Sequence, residues 1–143
     1  MTSVAFHFNA PGKLAYACRL LRKAAASGST VAVLADDTLL AKLDELLWSF
    51  SALDFVPHGR VQHLAEPTRQ HTPIWLCDTA EQGQGRQVLV NLMHSVPAGF
   101  EGFGRVIEVV SQDEADKQSA RLRWKHYSER GIQIVRHDLN LVA

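Results

Sequence analysis

Strand-like and helix-like segments alternate through the first third of the chain, and this alternation limits the possible folds more than any other feature. Residues 4–8 form a β-prone run, and apolar residues then recur every three or four positions from Leu14 to Ala25, which predicts a helix ending at Gly28. Residues 30–35 are typical of a buried strand, and Asp36-Asp37 is expected to cap a second helix. Strand alternating with helix predicts an α/β fold: a Rossmann-like three-layer sandwich with a mostly parallel sheet.

The rest of the chain continues this pattern after an irregular stretch rich in proline. Further strands are predicted at residues 74–77, 88–92 and 105–110. Ser111-Gln112-Asp113-Glu114 has the form of a capping box, so the last helix is expected to begin there and run to about Arg130. Gly131 would end it, and residues 132–135 would form a final strand. Because no repeat or long linker interrupts the pattern, residues 1–143 are predicted to form a single domain.

Composition excludes several classes of protein. The chain has 15 basic and 15 acidic residues among 143, so it lacks the positive excess with which proteins coat nucleic acid or anionic membranes. Direct DNA binding is therefore expected to be weak or indirect. Cys18 and Cys77 stand in apolar surroundings, which indicates reduced buried thiols rather than a disulfide. No signal peptide or membrane span is recognisable, and a cytoplasmic protein is predicted.

Nucleotide chemistry is poorly supported by the glycines of the chain. Pro11-Gly12-Lys13 approaches a phosphate-binding loop, but its first glycine would fall at His7, and Leu14 replaces the magnesium-binding Ser or Thr. The loop containing Gly83 and Gly85 neither follows a strand nor opens a helix as the motif requires. The prediction is a fold with no nucleotide-binding loop, no cofactor and no catalytic residues. A small nucleotide- or phosphate-binding α/β enzyme using Lys13 or the Gly83–Gly85 loop is the alternative.

Histidines suggest a metal site only weakly. His58, His63 and His71 share one polar stretch, but none forms the close ligand pair that zinc sites usually show. No metal site is predicted.

Basic residues are concentrated in the last predicted helix. Residues 117–130 contain five Lys or Arg residues and one acid, Glu129. Lys117, Arg121 and Trp124 follow i, i+4, i+7 spacing and so share one stripe of the helix. An indole beside cations is typical either of a core residue with flexible cationic neighbours or of a pocket that binds an anionic partner. The residue pattern leaves both readings open.

Large aromatic residues form a second cluster near the end of the second helix. Trp48 ends that helix, and Phe50 and Phe55 follow it. Such residues belong either to the core or to a surface that binds another protein. The sequence pattern alone does not separate these interpretations.

Taken together, these segments resemble the chi subunit of bacterial DNA polymerase III holoenzyme. The resemblance covers nearly the whole chain in order, and its motifs are individually weak but jointly specific. They are Leu43-Asp44-Glu45, Leu47-Trp48, Phe55-Val56-Pro57-His58, Asn91-Leu92, Pro97, Phe100, residues 106–110, Lys117-Gln118, Ala120-Arg121, Trp124-Lys125, Tyr127 and Gly131.

The resemblance implies a non-catalytic accessory subunit of the clamp-loader complex. Chi proteins bind the acidic C-terminal tail of single-stranded DNA-binding protein and connect it to the psi subunit during DNA replication. Carried over by position, the tail-binding residues would be Val110, Lys117, Arg121 and Trp124, with Lys125 at the edge. The tail ends in a phenylalanine that carries the terminal carboxylate and is preceded by acids. Arg121 would hold that carboxylate, and Lys117 would attract the acids.

The resemblance also implies a second binding surface. Psi would bind at Trp48, Phe55, Val56 and Pro57. In some bacteria the corresponding face serves an accessory repair helicase, so either partner is an expectation for this chain. Asp116 and Ser119 depart from the family pattern, since chi proteins can carry leucine there, and the inner face of the last helix is therefore less apolar than the resemblance implies.

Overall fold

A computed structural model describes residues 2–49 and 57–139. Parallel strands and helices alternate along these residues, as the sequence pattern predicts. The strands are β1 (Ser3–Ala10), β2 (Val31–Leu34), β3 (His58–Arg60), β4 (Ile74–Cys77), β5 (Val88–Asn91), β6 (Arg105–Ser111) and β7 (Ile134–Asp138). The helices are α1 (Lys13–Ala26), α2 (Asp37–Ser49) and α3 (Glu114–Glu129). Short 3₁₀ turns occupy the connections.

The described strands form one seven-stranded sheet in the order β3-β4-β2-β5-β6-β1-β7. Every pair of neighbouring strands is parallel. The predicted α/β sandwich with a mostly parallel sheet is therefore confirmed. Strand β3 was not predicted, because His58-Gly59-Arg60 lacks the β-branched and aromatic residues that mark a strand in sequence.

Helices cover both faces of the sheet. Helices α1 and α2 pack on one face, where Cys18, Leu21 and Leu43 are fully buried against apolar residues of the central strands. Helix α3 packs on the other face, where Ala120 and Tyr127 join Phe6 of β1. Parallel sheets need this cover because their strands are apolar on both faces. In this arrangement the carboxyl ends of β1, β6 and β7 lie next to α3.

The last strand lies further along the chain than the sequence pattern predicts. Residues 132–135 were expected to form it, whereas β7 spans Ile134–Asp138. Its position is set by pairing with β1, in which Val4 lies opposite Ile134 and Phe6 lies opposite Arg136. Register in a parallel sheet depends on such distant partners. A prediction from local apolar residues alone therefore starts the strand two residues too early.

The start of α3 also differs from the prediction. Ser111 is the last residue of β6 rather than the cap of the helix. Asp113 is the N-cap, and its side chain accepts a hydrogen bond from the backbone N–H of Asp116. The predicted capping box at Ser111 is therefore wrong, because the acid two residues later supplies the cap.

Other local predictions are confirmed. Asp36 accepts a hydrogen bond from the N–H of Leu39 and caps α2, and Gly131 adopts a positive φ of 72° after α3. Cys18 and Cys77 are buried free thiols, and burial raises the pKa of Cys77 to about 12.

Across residues 2–49 and 57–139, no helix has the length and apolar character needed to span a membrane.

Candidate functional site

A cavity of about 520 Å³ lies between α3 and the carboxyl ends of β1, β6 and β7. The carboxyl ends of parallel strands are where open α/β sheets usually bind ligands. Three elements of the sheet and one helix contribute its walls. The lining residues are Phe6, Phe8, Asn9, Val110, Lys117, Ala120, Arg121, Trp124 and Arg136.

The inner part of the pocket is apolar. Phe6 and Val110 are buried side chains of neighbouring strands, and Ala120 faces them from α3. The rings of Phe6 and Trp124 lie 5.1 Å apart at 49°, so the indole is held against the sheet rather than free in solvent. Trp124 is only partly buried. It therefore acts both as a core contact and as a wall of the pocket, which combines the two readings left open by the sequence.

Helix α3 supplies cations to one side of this apolar surface. Lys117 and Arg121 lie one turn apart and both line the pocket. The Arg121 side chain is 69% exposed and its Nη1 lies 3.6 Å from Glu114 Oε1. An exposed pair at this distance contributes little to stability, so the guanidinium can exchange this contact for another anion at small cost.

Strand β7 supplies a further cation that the sequence analysis missed. Arg136 lines the pocket, and its guanidinium carbon lies 5.2 Å from the ring centre of Phe8 and 5.8 Å from that of Trp124. The signal that could have found it is the alternation along β7, which puts Arg136 on the same face as Ile134. Because the predicted strand ends at residue 135, the sequence pattern does not place Arg136 on this face.

The opposite side of α3 faces the sheet and carries a buried polar network. Arg123 Nε lies 2.9 Å from Glu108 Oε1, and Tyr127 donates to Glu108 Oε2 at 2.7 Å. Asn91 Nδ2 also donates to both carboxylate oxygens at 3.0 Å. Burial raises the pKa of Glu108, and the Arg123 charge and these hydrogen bonds oppose that effect. Arg123 is thus committed to the interior, so the predicted basic surface of the helix is smaller than its residue count suggests.

A second anchor lies in the first turn of α3. Asp116 is buried and accepts a hydrogen bond from the N–H of Ser111 at 2.8 Å, and Lys13 Nζ lies 3.2 Å from its Oδ2. Burial raises the pKa of Asp116, but the Ser111 N–H and the Lys13 charge outweigh this and lower it overall. The departure from leucine noted at position 116 is therefore compensated by a charged partner.

The same contact bears on the phosphate-binding alternative. Lys13, its proposed phosphate ligand, is engaged by Asp116. A Cβ at Gly83 would lie 2.5 Å from the Ala32 Cβ, so this glycine allows the 3₁₀ turn at Ala80–Gly83 to pack directly against β2. Lys13 and Gly83 therefore each have a structural role in the fold.

The remaining predicted residues lie elsewhere. Lys125 does not line the pocket; it is exposed, and its Nζ lies 3.9 Å from Glu129 Oε1. Trp48 is 61% exposed at the end of α2, with its ring 5.5 Å from that of His58, and Pro57 is exposed. Trp48 is therefore a surface residue rather than a core residue. Phe55 and Val56 lie outside the described residues.

The pocket has the chemistry of a site for an anion with an apolar end group. Aromatic and aliphatic side chains form its floor, and guanidinium and ammonium groups stand on two sides. Guanidinium groups bind carboxylates through paired hydrogen bonds, and an apolar floor selects a ligand whose anionic group is attached to a hydrophobic one. A peptide C-terminus with an apolar last residue has this combination.

The fold is shared with a solved structure of a different protein. The C-terminal domain of the DEAD-box protein Dbp5 superposes with a TM-score of 0.60 at 13% sequence identity, over 98% of this chain and 91% of that domain. At such low identity the likeness concerns the fold alone.

Sequence comparison identifies closer relatives. DNA polymerase III subunit chi of Pseudomonas aeruginosa is 34% identical over 128 residues, which cover 89% of this chain and 87% of the relative. The corresponding subunit of Haemophilus influenzae is 32% identical over 120 residues, covering 82% and 81%. The subunit of Escherichia coli is 29% identical over 119 residues, covering 82% and 79%. The family model described as DNA polymerase III chi subunit, HolC, matches residues 1–135, and the chain therefore belongs to the DNA polymerase III chi subunit family.

Proposed function

We propose that this chi-family chain is a non-catalytic subunit that binds the acidic C-terminal tail of single-stranded DNA-binding protein and connects it to the clamp loader. One observation carries the proposal: Val110, Lys117, Arg121 and Trp124 line one pocket with an apolar floor and a cationic rim. Three of them share one stripe of α3, and Val110 of β6 joins them only through the fold. A pocket of this composition suits a terminal phenylalanine with a free carboxylate.

Each residue has a role that follows from its position. The phenyl ring of the tail occupies the slot between Val110 and Trp124, where Phe6 closes the base. Arg121 holds the terminal carboxylate, since it is exposed and, within the part of the chain that the structure describes, its one ion pair is with the solvated Glu114. Lys117 attracts the acids that precede the phenylalanine. Because the contacts at the rim of the pocket are electrostatic, the affinity for the tail is expected to fall as salt is added.

The second part of the proposal is a bridge to the psi subunit through Trp48, Phe55, Val56 and Pro57. Its support is the separation of the two surfaces. Helix α2 packs with α1 on one face of the sheet, and the pocket lies beside α3 on the other. An exposed tryptophan is a common centre of protein interfaces. An accessory repair helicase is the other candidate for this surface.

Calorimetric titration of the full chain with a peptide copying the acidic tail tests the first part. We expect micromolar binding by the unaltered chain. Arg121→Ala removes a charge-assisted contact and is expected to weaken binding roughly 10- to 100-fold. Arg130→Ala is a matched control, because Arg130 follows the same helix and pairs with Glu101 outside the pocket. Unchanged affinity in Arg121→Ala would refute the assignment of the carboxylate site.

Replacing Trp48 and Phe55 together by alanine tests the bridge. Psi binding should be lost, because the apolar centre of the surface is removed, while tail binding stays unchanged. Pull-down with purified psi and titration with the tail peptide measure the two activities separately. Retained psi binding by a folded double variant would exclude this surface, and binding of a purified repair helicase would then be measured with the same variant.

A further inference from the structure

We infer that Arg136 is a specificity-determining residue of this pocket, which contacts the acidic residues preceding the last residue of the bound peptide. The peptide would then leave the pocket over β7 rather than along the outer surface of α3. This inference rests on the proposed function and adds to it a residue and a direction for the bound chain. It replaces Lys125 as the further cation of the site.

The register of the sheet fixes the position of Arg136. Asn91, Glu108, Phe6 and Arg136 lie opposite one another on β5, β6, β1 and β7 and so form one row across the sheet. Neighbours in a parallel sheet point to the same face, which here is the face covered by α3. Within the row Glu108 is neutralised by Arg123, whereas Arg136 lies at the outer end beside the apolar floor.

Aromatic contacts hold the Arg136 guanidinium in place. It lies within cation–π range of Phe8 and Trp124, at 5.2 Å and 5.8 Å from their ring centres. A guanidinium already held between two rings loses little further conformational freedom when it binds an anion. Arg136 is therefore prepared to bind a carboxylate, unlike a flexible lysine on a helix surface.

The charge of Arg136 is also available. Among residues 2–49 and 57–139 no acid forms an ion pair with it. Arg121, Lys125 and Arg130 each have an acid within 4.0 Å. Asp138, two residues later on β7, accepts a hydrogen bond from Asn9 Nδ2 at 2.9 Å and is engaged there. Among the cations that line the pocket, Lys117 of α3 and Arg136 of β7 thus form no ion pair with an acid of the described residues, and Arg136 is the one on the β7 side.

The open side of β7 gives the peptide a route. Strand β7 is at the edge of the sheet and pairs only with β1 among the described strands. A peptide whose last residue occupies the apolar floor can pass over this edge without displacing any helix or strand of residues 2–49 and 57–139. On the α3 side, Glu114 and Glu129 lie beside Arg121 and Lys125 and partly neutralise them, so the outer surface of this helix attracts an acidic chain less than its cations suggest.

Two peptides distinguish the binding of upstream acids by Arg136 from the binding of the terminal carboxylate by Arg121. One copies the acidic tail, and the other has its upstream acids replaced by asparagine or glutamine and keeps the terminal phenylalanine and free carboxylate. Arg136→Gln is expected to weaken binding of the acidic peptide about 3- to 10-fold at low salt and to leave binding of the neutral peptide unchanged. Arg121→Ala is expected to weaken both. Lys125→Gln, which removes one exposed charge from α3, is expected to change neither by more than about 2-fold.

The outcomes are distinguishable. Equal effects of Arg136→Gln on both peptides, or no effect on either, would overturn this inference while the proposed function stands. Absence of binding by the unaltered folded chain would overturn the proposed function itself. Arg136→Lys, which keeps the charge at an exposed edge strand, is expected to retain most of the preference for the acidic peptide. Loss of that preference in Arg136→Lys would show that the guanidinium held by the two rings, rather than charge alone, selects the acidic peptide, which still assigns the selection to position 136.

Discussion

Arg121 and Arg123 lie two residues apart in α3, yet the fold uses them in opposite ways. Arg123 faces the sheet, is 2% exposed and forms an ion pair with the buried Glu108. Arg121 lies on the pocket side and is largely exposed, and the one ion pair it forms among the described residues is with the solvated Glu114. The same residue type is a structural anchor on one face of the helix and an available anion-binding group on the other.

This difference shows that the number of charges in a helix does not measure its binding surface. A buried guanidinium must be satisfied within the protein, because leaving it unpaired costs several kcal/mol. An exposed one is nearly neutral for folding and can therefore be committed to a ligand. The buried face of α3 holds the helix against the sheet, and so it sets the positions of Lys117, Arg121 and Trp124 in the pocket.

The largest expected effect comes from breaking the buried pair. Arg123→Met leaves Glu108 without its charged partner in the interior, and the free energy of unfolding is expected to fall by about 3–5 kcal/mol. Urea unfolding followed by circular dichroism measures the loss. The double variant Glu108→Gln with Arg123→Met should lose less than the sum of the two single losses, since the residues interact directly. A loss below about 1 kcal/mol in Arg123→Met would contradict the anchoring role.

A smaller effect is expected at the second anchor, and it depends on pH. Asp116→Asn removes the charge that Lys13 and the Ser111 N–H stabilise, at an expected cost of roughly 1.5 kcal/mol or more at neutral pH. The pKa of Asp116 is lowered from its ordinary value of 3.8, so its contribution is present above that value and is lost as the pH falls through the folded-state pKa.

Unfolding free energies measured from neutral to acid pH check this prediction. The stability difference between the unaltered chain and Asp116→Asn should shrink as the pH falls below 3.8. Asp37→Asn is the control, since Asp37 is an exposed aspartate at the start of α2 and its change should cost less than about 1 kcal/mol. A pH-independent difference at position 116 would show that the charge of Asp116 does not stabilise the fold.

The smallest effect on stability is expected on the pocket side. Arg121→Met makes the same substitution as Arg123→Met but should change the free energy of unfolding by no more than about 0.5–1 kcal/mol. Its exposed contact with Glu114 is the only ion pair lost among the described residues. If this variant were as unstable as Arg123→Met, the distinction between the two faces of α3 would fail.

Much of the fold followed from local sequence, whereas the pairing of distant charges did not. Periodic apolar residues predicted α1 and α2, and apolar runs predicted the central strands. The partner of Arg123 could not be predicted in this way, because Glu108 meets Arg123 only through the packing of α3 on β6. Asn91 in turn reaches Glu108 only through the pairing of β5 with β6. Glu108 is a single acid in an apolar strand, which was a sign of a buried polar contact.

The site shows the same division. The spacing of Lys117, Arg121 and Trp124 on one helix indicated that they share a face, and they do line one pocket. Arg136 was missed because the end of β7 is set by its register with β1 rather than by its own residues. Lys125 was included by resemblance and lies outside the pocket. What each pocket residue binds stays a prediction.

The most direct test of the account compares two peptides that differ in one chemical group. Both copy the acidic tail, but one ends in a free carboxylate and the other in an amide, and each is titrated calorimetrically into the full chain at low and physiological salt. The account predicts micromolar binding of the free acid. The affinity for the amide should be lower by roughly 10-fold or more, because Arg121 loses its charged partner. Equal affinity for the two peptides, or no binding of the free acid by the folded chain, would contradict it.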